Sequence, residues 1–186
     1  DLHSFPTRRS SDLLSEIIRG GAEKAKEADV VIVGGHTVQD KEPKFGLVAL
    51  GFVKLDQILT KGGAKPGDRL VITKPLGLGV ITSAVKKEKA ARVDIDAAID
   101  WMMRLNDGAR ELAVSLGLKS GTDVTGFSLM GHAWEMAQAS RAGLRLEFAR
   151  IPILENAWTY ARAGTFPGGA FDNKNFYGSH VCFSRY

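Results

Sequence analysis

The spacing of hydrophobic positions changes several times along the chain, and each change marks an element. From Leu14 the apolar residues Ile17, Ile18, Ala22, Ala25 and Ala28 recur on one helical face, which predicts a helix leading into Asp29. Val30 to Val33 is a continuous run rich in β-branched residues, too short for a helix and stopped by Gly34 and Gly35, so it reads as a buried strand. Phe45 to Val53 is again strand-like. The segment Lys61-Gly62-Gly63-Ala64-Lys65-Pro66-Gly67-Asp68 carries the punctuation of a linker, and a domain boundary is expected there.

Beyond that boundary, Arg69 to Thr73 predicts a third strand, and Lys74-Pro75-Leu76-Gly77 turns the chain into a helix from about Leu78 to Lys89. Ile95, Ile99, Met102, Leu105, Ala109, Leu112 and Leu116 keep helical spacing, which predicts one long helix. Asp94 and Asp96 fall at its positive start and read as caps, not catalysts. Gly121 to Thr125 reads as a turn, Phe127 to Ala139 as a helix, Leu144 to Phe148 as an alternating strand and Ile153 to Ala163 as a short helix. The fold class is therefore α/β, with mixed sheets. Residues 1–12, DLHSFPTRRSSD, show neither periodicity and read as a non-native leader resembling translated adapter sequence, since a signal peptide's apolar core is missing.

Composition narrows the function classes. With 186 residues the chain can build one good core or two small domains. No run approaches the roughly 18 apolar residues of a membrane span. The net charge of +4 comes from lysines and arginines interleaved with acids, so no nucleic-acid partner is expected, and Lys86, Lys87 and Lys89 read as a solvated helix end. Cys182 is the single cysteine, which excludes an internal disulfide and suits a reducing, cytoplasmic setting.

Several catalytic signatures are missing. No G-x-x-x-x-G-K-[ST] loop occurs, Gly77-Leu78-Gly79 lacks the third glycine of a dinucleotide fingerprint because Thr82 stands there, and Gly126 to Gly131 is one residue too long for a nucleophile elbow. The histidines show no metal-ligand spacing. Two stretches remain. In Val33-Gly34-Gly35-His36-Thr37, glycines let backbone N–H groups approach an anion, and His36 and Thr37 add donors suited to phosphate oxygens. The same residues also make an ordinary glycine turn with a polar tip, and local sequence does not separate the two. In Gly121-Thr122-Asp123-Val124-Thr125-Gly126, Thr125 can cap the helix that follows, whose N-terminus favours phosphate. A carboxylate at Asp123 would repel polyphosphate unless Mg²⁺ bridged them, so Asp123 is either a magnesium ligand or a residue that shapes the turn.

At these stretches the sequence resembles the selenophosphate synthetase family, which shares a superfamily with aminoimidazole ribonucleotide synthetase. The likeness runs from about Leu14 to His180 through GGHTVQDKEPKFGLVALGFV (34–53), TKPLGLGV (73–80), GTDVTGFSLMGH (121–132) and a closing pattern with Asn175, Tyr177-Gly178 and His180. It implies an incomplete two-domain aminoimidazole ribonucleotide synthetase-like fold, with 13–60 as the end of an N-terminal ATP-binding and dimerisation domain and 61–186 as a C-terminal α/β domain. It further implies a homodimer, ATP and selenide as substrates, and release of selenophosphate, AMP and phosphate. Gly35, His36 and Thr37 would contact ATP phosphates and Asp123 would bind Mg²⁺.

The family's catalytic Cys or selenocysteine with its following Lys is expected before Leu14 and is absent, Ser128 stands where the family motif usually has glycine, and the pattern stops after His180. Another ATP-using member of the superfamily and a catalytically silent nucleotide-binding or dimerisation module are the rival readings. Lacking the groups that handle selenide, the chain as it stands is expected to release no AMP in response to selenide. Detection of selenide-dependent AMP would overturn that expectation.

Overall fold

The computed structural model describes residues 7–38, 40 and 44–184. Residues 1–6 of the expected leader and positions 39 and 41–43 of the GGHT stretch lie outside the described residues. The chain divides into two units, Asp1–Phe52 and Val53–Tyr186.

In the first unit, α1 (Thr7–Glu27) starts before the predicted Leu14. Once a turn is nucleated, each further residue adds one hydrogen bond, and Thr7 to Asp12 holds no glycine or proline to stop it. Arg19 reaches Glu16 at 2.5 Å and Glu23 at 2.6 Å, the neighbours three and four residues away on the helix surface. Ala25 is buried, and the Phe45 ring lies against Gly21, where a Cβ would come within 2.5 Å of it.

The stretches expected to be strands behave differently. No strand is assigned among the described residues; the only pairings are two isolated parallel bridges, Thr60 with Ser120 and Leu76 with Ile153. Residues 30–33, 45–53, 69–73 and 144–148 are therefore not sheets here, and the expected mixed α/β sheet architecture is corrected to helices joined by irregular chain among the described residues. A strand is defined by its partner as much as by its own pattern. Val33 and Val48 are 94% and 93% exposed, so the neighbours that would bury them are missing from their surroundings.

The second unit is built on a three-helix contact. Leu76 donates its N–H to Pro152 at 2.8 Å and accepts from Leu154 at 2.9 Å. Gly77, with φ of 117°, then turns the chain into α2 (Leu78–Lys86). A side chain at Gly77 would be strained by that φ and would also strike the Ala157 methyl. Helix α2 packs on α3 (Arg92–Met103) and on α6 (Glu155–Arg162) through Ile81, Ala84, Ala98 and Ala157. Burying Ile81 contributes about 1.5–3 kcal/mol.

The predicted long helix is two. Arg104 takes an extended backbone after α3, its carbonyl accepts from the Lys74 ammonium, and its guanidinium lies 4.1 Å from the Trp101 ring centroid. Asn106 then starts α4 (Asp107–Ser115). Neither predicted cap acts as one. Asp96 pairs with Arg92 at 3.0 Å, whereas Asp94 is buried, accepting from the Tyr160 hydroxyl at 2.5 Å and from the Asn156 side-chain amide. The Tyr160 oxygen in turn accepts the Ala91 N–H at 2.9 Å, which ties the start of α3 to α6. The second unit also contains α5 (Ser128–Ser140) and α7 (Gly168–Tyr177), which pack together.

The hydrogen bond to Asp94 raises the Tyr160 pKa above its ordinary value, and the Ala91 N–H only partly offsets this. A phenol whose pKa is higher folded than unfolded adds stability that is complete below about pH 10 and disappears as pH rises through the folded value. The second unit should therefore lose stability in alkali more steeply than Tyr160→Phe does. At neutral pH that variant leaves Asp94 short of one donor and should cost about 1–3 kcal/mol, measured by denaturant unfolding.

Candidate nucleotide and metal site

The two candidate stretches fall on different units and are described separately. In the first unit Gly34, Gly35, His36 and Thr37 follow the exposed run 30–33 and are themselves exposed. A Cβ added at Gly34 or Gly35 would meet nothing within 4 Å, and neither residue has a left-handed φ. Neither glycine is therefore required by local backbone or packing. This leaves their N–H groups open to approach from outside.

In the second unit the loop 121–127 joins the Thr60–Ser120 bridge to α5. Thr60 donates its N–H to Lys119 at 3.0 Å and accepts from Gly121 at 2.9 Å, while the Lys119 ammonium reaches the Asp56 carbonyl. At the other end, Asn173 of α7 donates to the Gly126 carbonyl at 2.9 Å. Gly131 lies so close to Tyr177 that a Cβ would come within 2.7 Å of its ring. Around this contact Trp134 packs on Tyr177 and stacks on His180, with ring centroids 5.6 and 4.9 Å apart. Asp123 is exposed in this supported loop, and among the described residues its carboxylate takes no hydrogen bond or ion pair.

Thr125 does not cap α5. The residue before the helix is Phe127, which makes no side-chain cap bond. The Thr125 carbonyl accepts the Ser128 N–H at 3.0 Å, and its hydroxyl meets His132 Nε2 at 3.2 Å. His132 is buried, its Nδ1 is 3.3 Å from Glu135 Oε2, and Glu135 accepts from Lys61 at 2.6 Å. The Lys61 hydrogen bond is the main reason that the Glu135 pKa is lowered from its ordinary value. Asn173 and the Lys61–Glu135 pair were not identified from sequence. The first sits in a glycine- and asparagine-containing segment without periodicity, and the second joins residues 74 positions apart.

No group of three or more His, Cys, Asp or Glu side chains among the described residues can hold a metal ion. A protein-only cage is therefore not formed. A single free carboxylate does suit Mg²⁺, which keeps waters and takes phosphate oxygens alongside one or two carboxylates.

The family described as AIR synthase related protein, C-terminal domain, matches residues 65–170, and its N-terminal domain matches residues 1–53. The chain belongs to the AIR synthase related family. The selenide, water dikinase of Carboxydothermus hydrogenoformans is 41% identical over 97% of this chain and 52% of its own length. Those of Caldanaerobacter subterraneus and Clostridioides difficile are 43% and 41% identical over 92% and 95% of the chain, and over 50% and 51% of their own lengths. The chain thus spans about half the length of these curated relatives. Among the described residues no helix is long and apolar enough to cross a membrane.

Ser128, the first residue of α5, has φ of 62°, a left-handed value that glycine adopts without steric cost. Ser128→Gly should raise stability by about 1 kcal/mol. Gly131→Ala, forced against Tyr177, should lower it by about 1–3 kcal/mol. Denaturant unfolding of the two variants checks both signs.

Proposed function

We propose that this chain is part of a selenide, water dikinase, which converts ATP, selenide and water to selenophosphate, AMP and phosphate. The observation that carries the reading is identity of 41–43% to selenide, water dikinases across 92–97% of the chain. The free Asp123 carboxylate on a loop fixed at both ends supports it.

In this reading 1–53 belongs to an N-terminal ATP-binding and dimerisation domain and 65–170 to the C-terminal domain, the spans over which the two family models match. The exposed apolar stretches 30–33 and 45–53 become sheet strands in the paired whole protein, a homodimer of the cytoplasm. The open backbone at Gly35, with the side chains of His36 and Thr37, holds ATP phosphate oxygens. Asp123 holds Mg²⁺, which when bound neutralises phosphate charge. The protein contributes position and fixed dipoles, the main requirements of phosphoryl transfer.

Asp123→Asn keeps the shape of the side chain and removes its charge. Mg²⁺-dependent nucleotide binding, followed by calorimetric titration, should weaken about tenfold or more. An unchanged magnesium dependence would overturn the metal role. His36→Ala should weaken nucleotide binding without changing its dependence on magnesium.

A further inference from the structure

His132 lies four residues into α5 and is only 4% exposed. Its two ring nitrogens face different groups. Nε2 meets the Thr125 hydroxyl at 3.2 Å. Nδ1 makes no aligned hydrogen bond, yet it is buried 3.3 Å from Glu135 Oε2. The Phe127 ring lies beside the imidazole, with centroids 5.7 Å apart. A neutral imidazole carries a single N–H, and its surroundings decide which nitrogen holds it. A carboxylate beside Nδ1 favours the proton on that nitrogen, which leaves Nε2 as an acceptor. Thr125 must then turn its hydroxyl hydrogen inward to Nε2, so only oxygen lone pairs face the loop's open side. The Thr122 hydroxyl is also committed, donating to the Asp123 carbonyl at 3.1 Å.

We propose that His132 is a positioning residue that fixes Thr125 as a hydrogen-bond acceptor on the loop carrying Asp123, so that this loop receives a hydrated Mg²⁺ ion and not bare phosphate. The inference rests on the proposed role of Asp123 and deepens it. The Asp123 carboxylate and the Thr125 oxygen both accept, which suits the outward-pointing hydrogens of metal-bound water and opposes a phosphate oxygen. Thr125 thereby acts through the ion's water shell, and His132 acts only through Thr125.

Nitrogen-15 NMR of the imidazoles in this chain, above the ordinary histidine titration range, reads the tautomer directly. His132 should carry its proton on Nδ1 and show an unprotonated Nε2; a proton on Nε2 would overturn the proposal whatever the chain binds. Thr125→Val removes the hydroxyl with little change of shape, and it should weaken Mg²⁺-dependent nucleotide binding roughly three- to tenfold, with Thr125→Ser restoring it. Circular dichroism of both variants controls for folding. If Asp123→Asn weakens binding and folded Thr125→Val does not, this inference fails while the metal role of Asp123 stands. If Asp123→Asn changes nothing, the metal role fails and the water-shell role of Thr125 fails with it, even when the Nδ1 tautomer is found.

Discussion

Helices in the second unit meet at residues too small to hold them apart, and the remaining contacts depend on that closeness. Ala84, Ala98 and Ala157 bring α2, α3 and α6 together around Ile81, and Gly77 lets the chain enter α2 against Ala157. Only at this separation can the Tyr160 hydroxyl reach both the Ala91 N–H and the Asp94 carboxylate. The same device recurs at Gly131, where α5 receives the Tyr177 ring of α7. Close packing forgives little change of volume, so a single added methyl at these places disturbs the polar bonds beyond it.

Helices with one apolar face were legible in the sequence because each carries its signal within its own residues. Helices α2, α5 and α6 fall close to their predicted positions. The break between α3 and α4 was hidden because Leu105 continues the apolar spacing, while the partner that takes the Arg104 carbonyl at the break, the Lys74 ammonium, lies 30 residues away. Helix α7 was missed because Gly168-Gly169 and alternating aromatic and polar residues give it no face. The apolar stretches 30–33 and 45–53 show the opposite failure. Their pattern records what they are suited to bury, but the partner that would make them strands is not encoded within them.

The site was legible in part for the same reason. A carboxylate in a glycine- and threonine-rich turn before a helix is a local signal, and it singles out Asp123, which the fold leaves exposed on that loop. The destination of the Thr125 hydroxyl was not, because it has two plausible partners in sequence, a helix N–H nearby and a histidine seven residues on, and only packing decides between them. Asp94 is a related case. Its position in the first turn of a helix suggested a cap, but the buried Tyr160 and Asn156, more than sixty residues later, use the carboxylate instead.

The hydrogen bond from Asn173 to the Gly126 carbonyl spans 47 residues, and the Tyr177 contact with Gly131 reaches nearly as far. The chain is made from its N-terminus, so the loop with Asp123 leaves the ribosome well before the helix that fixes it. Its other anchor, the segment around Thr60, is already waiting. The loop thus spends an interval of synthesis attached at one end only, and it acquires its final shape when α7 emerges and docks.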